Sequence, residues 1–237
     1  MKAEIVAEIG INHQGNLGIA TQMIDRAKEC GADVAKFQVY DPEKLLDPND
    51  YTPRDWAAIK KTKLDFDEVH FLFSYCQIEG IEFMASAFDE ERLGWLEKLG
   101  VKRHKIASRT VDDLDYCKAV LKTGKTVFVS DGKALGKFFG APNVKWLYCI
   151  SKYPTALEEI SWYEGIFWKN AYYGFSDHTQ SLTAAKTAIV LGAKLIEKHF
   201  TLDKSLAGPD HCCSMEPYEL RELCKFRDEF DIMDWRE

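Results

Sequence analysis

The sequence predicts an α/β fold, a compact (β/α)8 TIM barrel built as a single domain over residues 1–237. Three observations predict it. Eight short apolar runs alternate with longer amphipathic stretches, the pattern of a parallel sheet with crossover helices. Glycines such as Gly31, Gly100, Gly124 and Gly192 close the helical stretches, as C-terminal stops do. The length, 237 residues, is close to the roughly 250 typical of that barrel. The competitor is an open doubly wound sheet, but no G-x-G-x-x-G run follows the first strand here.

In order, Ile5–Ile11 reads as the first strand. Leu17–Cys30 reads as a helix with Ile24 and Ala27 at helical spacing. Val34–Val39 is the second strand, and Asp41–Phe66, rich in Pro and Asp, reads as a long loop with a short helix. Asp67–Glu79 is a helix, Glu82–Phe88 a strand and Glu90–Leu99 a helix. Arg103–Ser108 is a strand, Asp112–Lys122 a helix, Thr126–Asp131 a strand and Lys133–Phe139 a helical turn. Val144–Ile150 is a strand and Leu157–Ile166 a weak helix. Tyr172–Ser176, Leu182–Leu191, Lys194–Phe200 and Pro217–Phe230 complete the alternation as strand, helix, strand, helix.

Composition narrows the function. Apolar residues make up 46% of the chain, enough for a packed core, and the net charge is −7. An acidic balance argues against a nucleic-acid or anionic-membrane binder, which needs a basic footprint. It leaves room for an anionic small substrate in a locally basic pocket. No run reaches the ~18 apolar residues of a membrane span, and Glu4 and Glu8 interrupt the start where a signal peptide is apolar. The seven cysteines, dispersed through apolar segments without a C-x-x-C pair, read as buried free thiols of a cytoplasmic protein.

Barrels of this class carry their active sites at the carboxyl ends of the strands. The polar residues falling there are Glu8 with Asn12 and His13, Lys36 with Gln38, Ser86, Lys105 with Ser108, and Ser130 with Asp131. Later strands supply Ser151 and Tyr153, then Ser176, Asp177 and His178, then Glu197 and His199. Period two puts Lys36 with Gln38, Ser176 with His178, and Glu197 with His199 on shared faces. Charged side chains on such covered strands need a partner, a ligand or a metal.

His178 and His199 end neighbouring strands, roughly 5 Å apart. With Glu197 they suit a divalent cation with open positions, although two core histidines bonded to backbone would look the same in sequence. Lys36 and Lys105 with Ser108, Ser130 and Ser176 suit an anion, phosphate above all, and a Schiff-base lysine is the rival reading. Asp210, in the Gly208–His211 loop, either reaches the site or makes a turn. Cys212 and Cys213 beside His211 lack the second pair that a zinc site needs.

These segments carry a resemblance. AEIGINHQGN at 7–16, GADVAKFQ at 31–38, KIAS at 105–108, YPT at 153–155, FSDHT at 175–179 and GAKLIEKHFTLDKSLAGPDH at 192–211 resemble the catalytic barrel of the sialic acid synthase (N-acetylneuraminate synthase) family. The resemblance implies a cytoplasmic transferase of carbohydrate biosynthesis. It would condense phosphoenolpyruvate (PEP) with an N-acetylated hexose, N-acetylmannosamine or a relative, giving a nonulosonic acid and phosphate. It implies His178 and His199 as ligands of a divalent metal, most often Mn2+, with Mg2+ or Co2+ as substitutes, and Glu197 beside a water at that metal. Lys36, Lys105, Ser108, Ser130 and Ser176 are then the PEP-binding set, with Ser86 near PEP. Glu8, Gln38, Tyr153 and Asp210 face the acceptor or the reacting carbons, and Glu8, Lys36, Lys105 and Glu197 form the catalytic group.

The departures are equally specific. Arg109 and Thr110 stand where the family usually has Gly-Glu, and Ser130-Asp131-Gly132-Lys133 replaces an STGM-like turn. Family members usually continue into an antifreeze-like domain that reaches across a dimer. The sequence ends at Glu237, so the expectation is a barrel without that domain. A homodimer or a separate lid-domain protein would then cover the acceptor. The alternative reading is a relative that binds PEP or a sugar without turnover.

Overall fold

The apolar runs form strands β1 (Glu4–Gly10), β2 (Val34–Val39), β3 (Glu82–Ala87), β4 (Arg103–Ile106), β5 (Thr126–Ser130), β6 (Val144–Cys149), β7 (Gly174–Asp177) and β8 (Leu195–His199). In this computed structural model all pair in parallel and close in chain order into a barrel, β8 pairing back onto β1. The structure describes residues 2–132, 141–162, 166–167 and 172–233.

The helices are α1 (Leu17–Cys30), α2 (Pro42–Leu45), α3 (Pro53–Lys61), α4 (Phe66–Glu79), α5 (Glu90–Leu99), α6 (Leu114–Lys122), α7 (Thr183–Val190) and α8 (Pro217–Ile232). Their starts follow from side chains that accept otherwise unpaired N–H groups. Asn16 accepts from Ile19 N, Asp89 from Arg92 N, and Asp65 forms a reciprocal box with Glu68. Each such cap contributes about 1 kcal/mol. Gly31, Gly80 and Gly100 end α1, α4 and α5 in left-handed conformations.

Two apolar layers hold the barrel. Outward-facing strand residues such as Ile5, Phe37, Val127, Phe175 and Ile196 pack under the helices, and all are buried. Inside, Val6, Val34, Met84, Phe128, Leu147 and Leu195 form a separate cluster across six strands. This cluster is the floor of the barrel mouth. At the opposite end Arg227 of α8 ties the chain together, donating to Asp33 Oδ2 at 2.5 Å and to the carbonyls of Ala3 and Gly31.

The sequence reading needs correction in the connections. Asp41–Phe66 holds α2, a 3-10 turn at Pro48–Asp50 and α3, so it is more helical than a loop with one short helix. The expected helix at Leu157–Ile166 is a 3-10 turn at Leu157–Glu159, and described residues 160–162 and 166–167 are not helical. The run there, EEISWYEGIFW, lacks the polar face an amphipathic helix needs, and Ile166 and Phe167 are buried individually. The turn expected at Lys133–Phe139 lies outside the described residues. Cys212 is exposed and the other six cysteines are buried, so one thiol departs from the expectation. Among the described residues no helix is long and apolar enough to cross a membrane.

Candidate active site

The mouth is built by advancing two residues along each strand from the apolar floor. Val6 is followed by Glu8, Val34 by Lys36, Met84 by Ser86, Phe128 by Ser130, Leu147 by Cys149, and Leu195 by Glu197. Period two keeps each pair on one face, so an apolar layer carries a polar one directly above it. Two further residues bring Gln38 above Lys36 and His199 above Glu197. Gly10 sits where β1 shifts register, at φ +56°, and a Cβ there would come within 3.1 Å of Gln38 Nε2.

These residues enclose an open pocket of about 330 Å3, counting the space at its mouth. Glu8, Lys36, Gln38, Ser86, Lys105, Ser108, Ser130, Tyr153, Ser176, His178, Glu197 and His199 all line it, so the structure gathers every residue that the resemblance assigns to the site except one. The exception is Asp210, which stands outside the lining with Oδ2 3.9 Å from His199 Nδ1. Cys149 and Ala107 line the pocket and were not anticipated. A neutral thiol gives no signal in sequence, although Cys149 occupies the same strand position as the serines beside it. Asn12 and His13 turn away. Asn12 donates to Phe200 O and Ser214 Oγ, and His13 Nδ1 accepts from Gly15 N, tying two loops together.

Four charges interlock at the centre. Lys36 Nζ lies 2.8 Å from Glu8 Oε2 and 3.4 Å from Glu197 Oε2. Lys105 Nζ lies 3.5 Å from Glu197 Oε1 and donates to Ser130 Oγ at 2.7 Å and Ile106 O at 3.1 Å. Burial works to lower the Lys36 pKa, but Glu197 and Glu8 outweigh it and hold the ammonium above its ordinary range. Lys105 goes the other way. Burial dominates, Lys36 adds to it, and the more distant Glu197 does not compensate. Glu197 is pushed upward by burial but held low by Lys105 and Lys36, so it stays ionised.

The hydroxyls around Lys105 have capacity to spare. Ser86 Oγ and Ser108 Oγ are buried without a hydrogen-bond partner. A Cβ on Gly132 would collide with Ser108 Oγ, so the missing side chain keeps that hydroxyl in place. Two ammonium groups and unpartnered hydroxyls converging in one pocket form a receptor for a multiply charged oxyanion.

The histidines sit on the other side of the pocket. Their ring centroids are 5.9 Å apart, and Tyr153 packs against both, tilted at 4.1 Å from His178 and edge-on at 5.8 Å from His199. His178 Nδ1 donates to Ile150 O at 2.7 Å, which fixes the neutral tautomer and leaves the Nε2 lone pair free. Burial, with His199 adding to it, pushes the His178 pKa down to about 3, so the ring is neutral at pH 7. His199 Nδ1 and Glu197 Oε2 are buried and make no hydrogen bond. A neutral imidazole with an anchored Nδ1, a second imidazole nearby and an ionised carboxylate fit a divalent cation. Among the described residues no group of three His, Cys, Asp or Glu side chains is placed to hold a metal ion.

The chain is 34% identical over 249 residues to the N,N'-diacetyllegionaminic acid synthase of Campylobacter jejuni, covering 94% of this chain and 75% of that one. It is 36% identical over 245 residues to the human N-acetylneuraminate-9-phosphate synthase, covering 93% and 68%. The sialic acid synthetase of Leptospira borgpetersenii superposes with a TM-score of 0.86 at 28% identity, covering 100% of this chain and 87% of that structure. The NeuB family model matches residues 23–232, and with these relatives it shows that the chain belongs to the NeuB family.

Proposed function

We propose that this barrel condenses PEP with the open-chain aldehyde of an N-acetylated hexose, giving a nonulosonic acid and inorganic phosphate. One observation carries the reading. An oxyanion receptor and two histidines, one of them with its Nδ1 anchored on a backbone carbonyl, face each other across a single pocket. The relatives' names, which include legionaminic, N-acetylneuraminic and pseudaminic acid synthases, support a product of this class.

In this reading Lys36, Lys105, Ser86, Ser108, Ser130 and Ser176 hold the phosphate and carboxylate of PEP. Lys105 is the readier donor, because its short bonds go to the neutral partners Ser130 Oγ and Ile106 O. Lys36 exchanges part of its contact with Glu8 for the substrate anion. His178 and His199 would hold a divalent cation, Mn2+ foremost, and when bound it supplies Lewis-acid polarisation of the acceptor carbonyl. C3 of PEP then bonds to the aldehyde carbon. Water adds at C2, Glu8 takes its proton and returns it to the alkoxide left on the former aldehyde carbon, and the C2–O bond to phosphate breaks as the C2 hydroxyl proton leaves with the phosphate. Gln38, which donates to Glu8 Oε1 at 3.2 Å, keeps that carboxylate facing the reacting carbons. Glu197, ionised and held by Ser176 Oγ at 3.1 Å, orients the water. Tyr153 closes the rim over both rings. Positioning supplies much of the rate in such a scheme.

The test is phosphate release by the purified chain with PEP, Mn2+ and a panel of N-acetylated hexoses, with and without chelator. Chelator-sensitive release that depends on one sugar supports the synthase and names its acceptor. Absence of release with every sugar, despite measured PEP binding, overturns turnover by the chain alone.

A further inference from the structure

Behind the pocket, on the helix-facing side of β7 and β8, lies a charge pair that the proposed chemistry does not use. Asp177 Oδ2 and Lys198 Nζ are 3.0 Å apart, and the two side chains are 0% and 1% exposed. They are register partners across the two strands. Asp177 immediately precedes His178, and Lys198 immediately precedes His199. Because successive residues alternate faces, the pair points outward where the histidines point inward.

The surroundings of the pair converge on the same short segment. Asp177 Oδ1 accepts from Thr179 N at 2.8 Å, and Lys198 Nζ donates to Thr179 O. The residues on both sides of His178 are therefore held to one lysine. Thr155 N donates to His178 O at 3.0 Å, adding the preceding crossover to the clamp. Neighbouring outward positions, Phe175 and Ile196, are apolar and buried under the helices. A charged pair in that layer is costly to desolvate, so a buried ion pair is by itself weak evidence of a stabilising role. What sets this pair apart is where its bonds go: both side chains are spent on the Thr179 peptide next to His178.

We propose that the Asp177–Lys198 pair is a positioning device that fixes the relative placement of His178 and His199. The pair sets the register of β7 against β8 at the point where both strands deliver a ring to the pocket. It also holds the peptide around His178 so that Nδ1 meets Ile150 O. Asp177 and Lys198 touch no substrate and act only through the two histidines. This inference rests on the reading of those histidines as the working end of the pocket.

The experiment uses the full chain without metal, then with Mn2+ alone. Imidazole 15N shifts of the metal-free protein report the His178 tautomer, which in wild type is the single form protonated at Nδ1. The double variant Asp177→Leu/Lys198→Met should fold, with a lowered melting temperature because Thr179 N and O lose their side-chain partners. It should show a mixed His178 tautomer, and its Mn2+ affinity should fall by about 10-fold or more, the usual effect of losing an outer partner of a metal ligand. Lys198→Arg, which keeps the charge and the donor, should retain the wild-type spectrum. A folded Leu/Met variant with wild-type shifts and wild-type Mn2+ affinity overturns the proposal. Failure of that variant to fold also overturns it, because the pair is then structural. If wild type binds no Mn2+ and releases no phosphate, the proposed function fails instead. The metal-free tautomer comparison still decides the role of the pair.

Discussion

Lys36 Nζ stands 2.8 Å from Glu8 Oε2 inside the barrel, where the lysine is 2% and the glutamate 3% exposed. Glu197 approaches the same ammonium at 3.4 Å. Lys36 thus bridges two buried carboxylates, Lys105 sharing Glu197 with it at 3.5 Å. Anything that removes the cation leaves negative charge in a low-dielectric interior, and anything that brings in an oxyanion must offer compensation of its own.

Lys36→Met should therefore destabilise the protein by about 3–5 kcal/mol at pH 7, the usual result of stripping one partner from a buried pair. The loss should shrink as pH falls, because Glu197, without one of the two ammonium groups that hold it ionised, then takes up a proton more readily. Denaturant unfolding at pH 7 and pH 5 measures both effects. Equal stability of variant and wild type at pH 7 would show that the two carboxylates do not depend on Lys36.

Gly132→Ala addresses the oxyanion receptor without touching a charge. The new methyl group would occupy the space of Ser108 Oγ and press on Ser151 Cβ at 2.9 Å. Ser108 must then rotate or retreat. PEP affinity should fall by about 10-fold, equivalent to the ~1.4 kcal/mol of one hydrogen bond. Equilibrium binding of PEP to both proteins checks it. Unchanged affinity would mean that Ser108 does not contact the anion.

His178→Ala and His199→Ala should each abolish measurable Mn2+ binding while leaving the far-UV circular dichroism unchanged. Two histidines with one carboxylate are few ligands, and losing either imidazole leaves too little to hold the ion. Calorimetric titration of each variant with Mn2+ is the measurement. Wild-type binding in both variants would sink the assignment of these residues as ligands.

The sequence exposed the strand ends because period two is a strong constraint. Val6–Glu8, Val34–Lys36 and Leu195–Glu197 each read as an apolar residue with a charged one above it, and the barrel reproduces that layering. What sequence hid was what depends on packing between distant segments. Asp210 was expected at the site, but its loop places it beside His199 rather than in the lining. Cys149 passed unnoticed because a thiol in an apolar run reads as core. Lys198 passed unnoticed because its partner Asp177 is 21 positions away and the register that joins them exists only in the closed barrel. The crossover near Leu157 read as a helix because spacing alone does not register that Leu157 stays exposed while Ile166 and Phe167 are buried.

His13 makes acid sensitivity predictable. It is buried with no exposed surface, its Nδ1 accepts from Gly15 N at 3.1 Å, and Nε2 has no partner. Burial alone pushes its pKa down to about 4 from 6.5. Between those values the unfolded chain binds a proton that the folded chain refuses. Stability therefore rises with pH through that window and is lost as pH falls below 6.5. From pH 7 to pH 5 this one group should remove about 2 kcal/mol, at a limiting slope of about 1.4 kcal/mol per pH unit. His13→Asn keeps an acceptor for Gly15 N and does not titrate. Unfolding free energies at pH 7, 6 and 5 should fall less steeply in the variant, by about that slope. Parallel curves for the two proteins would show that His13 is protonated in the folded state as readily as in the unfolded one.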